Sequence, residues 1–260
     1  MLPSGNSIPA LTILALPGVP LIAPGDDLEA ILCQAIDRAV VLQDHDVIVI
    51  AQKAVSKAEG RLVDLATVNP SAKSKTLAAK VNKDPRLVEL ILSQSNEVLR
   101  YRWDVLVTEH KLGIVMANAG IDRSNVKAPG DGEWALLLPE NPDATCSKLK
   151  AALDLRYRCK LAVIISDSVG RAWRNGTIGT ALGAAGLPSL RDLRGRKDLF
   201  GRSLEVSEVG FADQIASAAA LLMGEAAEGS PVVHVRGLTW DDAALPASAL
   251  LRPRNLDLFR

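Results

Sequence analysis

Residues 161–176, LAVIISDSVGRAWRNG, join the clearest strand signal in the chain to its densest group of polar side chains. Residues 161–166 are almost all small, aliphatic or β-branched, which predicts a buried strand. That strand is expected to end at Asp167 and Ser168, before a glycine-bearing loop that carries Arg171 and Arg174. Ligands collect at the carboxyl ends of strands in open α/β sheets. Oxygen ligands beside guanidinium groups suit a divalent metal ion carried by a polyphosphate, and the plainer alternative is a solvated loop with a helix-capping aspartate.

The composition indicates a soluble globular chain. Its 260 residues are 48% hydrophobic and 23% charged, so they can form one large core or two smaller ones. The 30 basic residues balance the 30 acidic ones, which argues against nucleic acid as a partner because nonspecific binders usually carry a basic excess. No apolar run reaches the ~18 residues that a membrane span needs, so no membrane partner is expected.

The cysteines indicate a reducing compartment. Cys33, Cys146 and Cys159 are odd in number and form no CxxC pair, and the N-terminus lacks the basic segment of a secretory signal. We therefore expect a cytoplasmic protein. Each cysteine is predicted to be a small core residue rather than a nucleophile.

Helical and strand signals are interspersed along the chain, which predicts an α+β or mixed α/β fold. Helices are expected at residues 28–41, 71–81, 84–99, 141–155 and 212–224, and strands at 11–16, 47–51, 103–107, 113–117, 135–138, 162–166 and 232–235. Three further segments are expected to be a polar loop after a strand (52–61), a run of small residues (177–186) and a basic linker or phosphate-covering loop (192–202). We predict a single unit over residues 1–260. Any division of it would be discontinuous, with residues 1–95 and 200–260 forming one subdomain and 96–199 inserted as another.

Three carboxylates stand out because each follows an apolar element and lies near a glycine: Asp122, Asp167 and Glu225. Hard oxygen ligands without histidine or cysteine suit Mg²⁺ or Mn²⁺. The chain has no Walker A, HExxH, GxSxG or paired CxxC motif, which disfavours zinc hydrolases and enzymes with a serine or cysteine nucleophile. Carboxylates, cations and glycine loops are the ingredients of phosphoryl transfer. A simple Asx turn is the alternative at Asp122.

Several long motifs in a fixed order resemble the coenzyme F420:L-glutamate ligase family. They are LPGVPLIAPGDDL, QKAVSKAEGRLVDL, NAGIDRSNV, ISDSVGRAWRNG, GRKDLFGR followed by LEV, and ADQIA with LLMGE after it. Together they extend over residues 16–238. Members of this family add γ-linked glutamates to a deazaflavin coenzyme.

The resemblance implies a site that binds GTP and a divalent metal ion, Mg²⁺ or Mn²⁺, with a monovalent cation such as K⁺ as a further candidate. It also implies two intertwined subdomains with a non-standard nucleotide-binding fold, which agrees with the missing Walker A motif, and a homodimer. The implied metal-site residues are Asp122, Asp167, Ser168 and Glu225. Threonine is frequent in the family at the position of Ser168, so the hydroxyl oxygen is kept here and a methyl group is lost. The implied GTP contacts are Val19, Pro20, Leu21, Ile22, Gln52, Lys53, Lys57, Asn125, Met223, Gly224, Ala226, Ala227, Glu228, Gly229 and Ser230.

The implied reaction makes an amide through an acyl phosphate, with L-glutamate and the coenzyme F420 precursor as substrates. From the residues themselves, Arg171 and Arg174 are predicted to stabilise charge during this reaction. Two other interpretations use the same residues: a metal-dependent phosphohydrolase or phosphotransferase, and a non-catalytic nucleotide-binding module.

Overall fold

The computed structural model describes residues 9–124 and 132–259, and within them the chain has a mixed α and β architecture, as predicted. The helices are α1 (Leu28–Asp37), α2 (Gln52–Ala58), α3 (Ala72–Val81), α4 (Pro85–Ser93), α5 (Pro142–Tyr157) and α6 (Phe211–Met223). The strands are β1 (Thr12–Ala15), β2 (Val47–Ala51), β3 (Leu62–Asp64), β4 (Ser95–Arg102), β5 (Val105–His110), β6 (Val115–Ala117), β7 (Trp134–Leu136), β8 (Ala162–Arg171), β9 (Arg174–Ala185), β10 (Leu190–Asp192), β11 (Glu208–Gly210) and β12 (Val232–Arg236). In the part described, no helix is long and apolar enough to span a bilayer.

A five-stranded sheet of order β1-β12-β2-β8-β9 forms the centre of the molecule. β2 and β8 are parallel, whereas the other neighbouring strands are antiparallel. Two core clusters cover its faces. Ile48 and Ile165 contribute to the cluster that includes α1, α2 and α5, and Val49 and Ile164 contribute to the cluster that includes α6. Strands β2, β8 and β12 are therefore buried on both faces, which explains their nearly continuous aliphatic sequences.

Three smaller sheets complete the fold: β3 with β7, β10 with β11, and β4-β5-β6. Helices α3 and α4 pack against the β4-β5-β6 sheet through a separate core cluster that includes Val88 and Leu106. Asp122 forms an isolated antiparallel bridge with Leu136. That bridge fixes the backbone of one predicted metal-site residue beside β7.

The largest difference between the predicted and the observed strands is in the hairpin of β8 and β9. The strand predicted to end at Asp167 continues to Arg171, and the small residues predicted as a separate run form most of β9. The parallel partner β2 ends opposite Ser166, and from there β8 is paired only with β9. Since the partner lies downstream in the chain, the aliphatic run alone underestimates the length of the strand.

Further local predictions were wrong in type or bounds. The helix predicted over 28–41 ends at Asp37, and the strand predicted over 103–107 lies at 105–110. Residues 52–58 form α2 rather than a loop, because Ala54 and Val55 are buried on one face and the Ser56 hydroxyl bonds Gln52 Oε1 at 3.0 Å. The helix predicted over 84–99 ends at Ser93, and β4 follows it. Its end is stabilised by serine hydroxyls that bond the carbonyls of the last turn, and β4 then pairs with β5.

Other predictions were confirmed. β2 has the predicted limits, and α5 begins at Pro142 with Asn141 as its N-cap. Cys33 and Cys146 are buried and unpaired, while Cys159 is half-buried. Asp192 ends β10 and residues 193–202 lie in the connection to β11, and their role as a linker or phosphate-covering loop stays a prediction. The subdomain division and the single-unit interpretation stay predictions.

Candidate functional site

Several segments that the resemblance assigns to the nucleotide meet at one edge of the central sheet. Residues 16–22 follow β1, α2 begins where β2 ends, and residues 223–230 lead from α6 into β12. The edge is closed by backbone hydrogen bonds from Leu16 to Val232 and from Ala51 to Pro231. Because β8 is parallel to β2, Ser166 lies beside Ala51. The next residues of β8, Asp167 and Ser168, therefore lie at the same edge of the sheet.

Lys53 joins α2 to the segment that carries Asp122. Its ammonium nitrogen lies 2.6 Å from Asp122 Oδ2 and 3.2 Å from Ser124 Oγ. Asp122 Oδ1 also accepts hydrogen bonds from the Ser124 amide and hydroxyl, both at 2.7 Å. Burial alone would raise the pKa of Asp122, but the hydrogen bonds from Lys53 and Ser124 outweigh it and hold that pKa below its ordinary value.

Glu225 is bound to the hairpin of β8 and β9. The Ser168 hydroxyl donates to Glu225 Oε1 at 2.6 Å, and the Thr177 hydroxyl donates to the same oxygen at 3.4 Å. Ser168 and Thr177 lie on the two strands of the hairpin, so both strands position this carboxylate. Thr177 was not among the predicted site residues, since only the register that pairs it with Gly170 brings it to this place.

The pKa of Asp167 is affected by the charges of both other carboxylates, Asp122 and Glu225. This pKa is raised to about 6, chiefly by burial. A hydrogen bond from the Ser168 amide at 2.9 Å acts in the opposite direction and lowers that pKa. The charges of Asp122 and Glu225 raise the pKa further, and Lys53 lowers it. The charges of Asp122 and Glu225, from distant parts of the chain, therefore both act on Asp167, and the convergence of the three carboxylates on one cation stays a prediction.

The donor set fits a hard divalent cation. Three carboxylates and the Ser168 hydroxyl offer the oxygen atoms that such an ion prefers. Within residues 9–124 and 132–259, however, no group of three His, Cys, Asp or Glu side chains is compact enough to hold a metal ion by itself. Lys53 supplies the positive charge beside Asp122 instead. The described side chains therefore do not form a preassembled metal site, and a shared ion stays a prediction.

The remaining predicted nucleotide contacts have varied environments. Val19 and Ile22 pack against the core cluster of α1 and α5, whereas Leu21 is 85% exposed. Burial and the charge of Lys53 lower the pKa of Lys57. Met223 ends α6, and its Sδ accepts a hydrogen bond from the Ser166 hydroxyl at 3.6 Å. The other predicted nucleotide contacts after α6 are Gly224, Ala226, Ala227, Glu228, Gly229 and Ser230. Asn125 lies outside the described residues.

Arg171 and Arg174 lie away from this cluster. They are opposite one another at the end of the β8–β9 hairpin and are exposed. Arg171 lies four residue steps along β8 from Asp167, or about 13 Å at roughly 3.3 Å per residue. Their role in charge stabilisation stays a prediction.

Comparison with known proteins identifies the family of this chain. The family described as F420-0:Gamma-glutamyl ligase matches residues 18–237. A coenzyme F420:L-glutamate ligase from Methanothermobacter thermautotrophicus is 43% identical over 96% of this chain and 99% of its own length. The ligases of the same name from Methanopyrus kandleri and Archaeoglobus fulgidus are 40% and 42% identical, over 98% and 87% of this chain and 100% and 87% of their own lengths. The chain therefore belongs to the F420-0:gamma-glutamyl ligase family.

Proposed function

We propose that this chain is a GTP-dependent ligase that joins L-glutamate to the terminal carboxylate of the coenzyme F420 precursor and then adds further γ-linked glutamates. The observation that supports it best is the pair of contacts beside Asp167, in which Lys53 lies 2.6 Å from Asp122 and the Ser168 hydroxyl donates to Glu225 at 2.6 Å. Burial, and then the charges of Asp122 and Glu225, raise the pKa of Asp167. Such a cluster of opposite charges suits a phosphate group that arrives with a cation. The similarity to coenzyme F420:L-glutamate ligases over nearly the whole chain supports the choice of substrates.

The chemistry needs an activated carboxyl group, because a carboxylate is a poor electrophile and amide formation in water is uphill. The precursor carboxylate oxygen attacks the γ-phosphorus of GTP, the bond to the β-phosphate oxygen breaks, and GDP leaves. The glutamate amine then attacks the carbonyl carbon of the acyl phosphate. Inorganic phosphate leaves with the bonding electrons, and the amine proton passes to solvent.

Asp122, Asp167, Ser168 and Glu225 are the residues proposed to hold Mg²⁺ or Mn²⁺, with K⁺ as a proposed additional ion. A bound divalent cation supplies positive charge against the phosphate oxygens and reduces their repulsion with the incoming carboxylate. Lys53 is close enough to this cluster to bind a phosphate oxygen when it leaves Asp122. Ser168 keeps Glu225 in place through its 2.6 Å hydrogen bond.

GDP release is the measurement that tests this function. The purified protein is incubated with GTP and Mg²⁺ or Mn²⁺, with and without the precursor and L-glutamate. Release that requires both substrates supports the ligase. Release with neither indicates a phosphohydrolase, and no release in any mixture indicates a nucleotide-binding module.

Two variants make that assay specific for the cluster. Asp167→Asn removes the central negative charge and should reduce GDP release at least about a hundredfold, in the range seen when a group that stabilises charge in the transition state is lost. Glu205→Gln removes an exposed carboxylate in the connection before β11 and should leave the rate unchanged. Sedimentation of the same preparations tests the proposed homodimer.

A further inference from the structure

The end of the β8–β9 hairpin presents a large aromatic side chain to solvent. Trp173 is 80% exposed, and its φ of 59° lies in the left-handed region. A bulky residue is rarely found there, because its Cβ crowds the backbone. Backbone strain of this kind persists where the surrounding structure enforces it, and it is frequent at binding sites.

A second aromatic residue from the C-terminal segment lies against Trp173. The ring centroids of Trp173 and Phe259 are 5.0 Å apart, with the ring planes inclined by 56°. Phe259 is 64% exposed, and the guanidinium carbon of Arg252 lies 5.7 Å from the centroid of its ring. The C-terminal segment is held in turn by an ion pair between Arg254 and Glu97 of β4. Two parts of the chain thus combine into an aromatic corner, defined by Trp173 and Phe259.

The charged groups at this corner include three guanidinium groups and the carboxylate of Asp257, which accepts a hydrogen bond from the Phe259 amide at 2.9 Å. Arg171 and Arg174 lie on either side of Trp173 in the sequence and are opposite one another in the hairpin. With Arg252, three guanidinium groups accompany two exposed rings. Guanidinium groups bind carboxylates and stack on flat conjugated rings, so this combination favours a ligand that is both planar and anionic.

We propose that the aromatic corner of Trp173 and Phe259 binds the planar deazaflavin ring of the substrate whose carboxylate is activated beside Asp167. This inference rests on the proposed function. Asp167 and the corner belong to one continuous hairpin, about 13 Å apart along β8 at roughly 3.3 Å per residue. A ring with a flexible, carboxylate-ended tail fits that separation: the ring stacks on the indole at one end of the hairpin, and the tail extends along β8 toward the acidic cluster.

The test is equilibrium binding of 5-deazariboflavin, a ring without the reacting tail, followed by the fluorescence of the probe in the absence of GTP and glutamate. Trp173→Ala should weaken binding about tenfold, because stacking of a planar base on an aromatic side chain is worth this much or more. Trp173→Phe keeps an aromatic face and should bind within about threefold of the wild type. Trp103→Ala is the matched control, since Trp103 is also exposed (65%) and follows the end of another hairpin strand, β4, and it should bind as the wild type does.

GTP binding and sedimentation of Trp173→Ala are measured on the same samples and should match the wild type. Equal probe affinity in Trp173→Ala and wild type overturns the inference, and so does a changed sedimentation coefficient, which would make Trp173 a contact between chains. If the wild type releases GDP only with the precursor, but Trp173→Ala binds the probe as tightly as the wild type, this binding site is rejected and the proposed function stands. Absence of that release from the wild type would reject the function itself.

Discussion

The Ser168 hydroxyl donates a hydrogen bond of 2.6 Å to Glu225 Oε1, across 57 positions of sequence. This contact connects the hairpin of β8 and β9 to the loop that follows α6. It also holds a carboxylate in the neighbourhood of Asp167, whose pKa it helps to raise. An ion bound by these residues would therefore find two of its oxygen donors already oriented toward one another.

Removing the Ser168 hydroxyl should weaken metal binding. Ser168→Ala deletes one oxygen donor and frees Glu225, and we expect Mn²⁺ affinity to fall about tenfold or more, as is usual when a group that orients a metal ligand is lost. Ser168→Thr keeps the oxygen and should bind within about threefold of the wild type. The measurement is a titration of Mn²⁺ followed by the electron paramagnetic resonance signal of the free ion. Ser147→Ala, which removes a hydroxyl bonded within α5, is the control. Equal affinities in Ser168→Ala and wild type would contradict the assignment.

Arg174 should affect turnover rather than substrate affinity if it stabilises charge as the bonds change. The charge-stabilising role predicted from the sequence implies that Arg174→Ala reduces kcat more than tenfold, whereas the position of Arg174 at the tip of the hairpin, beside the aromatic corner, implies a higher KM for the precursor. Arg102→Ala is the matched control, because Arg102 is exposed at the end of β4. Steady-state kinetics with the precursor varied separate the two roles: a higher KM with unchanged kcat would assign Arg174 to binding, and wild-type values for both would reject either role.

The fold was predictable where local sequence decides the structure. Asn141 followed by Pro142 marks the start of α5, and the aliphatic run of β2 has no competing interpretation. Prediction failed where a distant partner decides. β8 continues past Asp167 only because β9 pairs with it, and the residues after Ser93 become a strand only because β5 lies alongside. A sequence read in order contains no direct signal for such pairing.

For the candidate site, the sequence identifies the types of residue but not their contacts. Asp122, Asp167 and Glu225 are conspicuous as carboxylates at the ends of apolar elements, and the structure adds the partners of two of them, Lys53 for Asp122 and Ser168 for Glu225. The pairing of Lys53 with Asp122 depends on how α2 meets the β7 region, which no motif encodes. Thr177 reaches Glu225 through the hairpin register, so it was missed for the same reason as the length of β8.

The contact between β9 and α6 should tolerate no side chain at Gly179. A Cβ built there would lie 2.4 Å from the Ala216 carbonyl oxygen, so the helix would have to shift. We expect Gly179→Ala to lower the free energy of unfolding by about 2 kcal/mol, as overpacking of a close contact usually does. Gly170→Ala is the control in the same hairpin, because nothing lies within 4 Å of its Cβ position. Urea denaturation measures both, and equal midpoints would contradict this close approach.

His110 should make stability depend on pH below neutrality. Burial lowers its pKa to about 4 from an ordinary value of 6.5, and the charges of Arg61 and Lys111 add to the effect. Its Nδ1 accepts a hydrogen bond from the Leu112 amide at 3.0 Å, which requires a neutral ring with the proton on Nε2. The folded chain therefore binds a proton on His110 less readily than the unfolded chain does.

The sign follows from that difference. The stability contribution of neutral His110 is complete above pH 6.5 and is lost as the pH falls toward 4, up to about 3 kcal/mol because each pKa unit corresponds to about 1.4 kcal/mol. His110→Gln cannot titrate, so its free energy of unfolding should fall less steeply than that of the wild type between pH 6.5 and 4. Urea denaturation at intervals across this range gives both slopes. Parallel slopes would mean that His110 is protonated as readily in the folded chain as in the unfolded one. That result would contradict a lowered pKa of His110 in the folded chain.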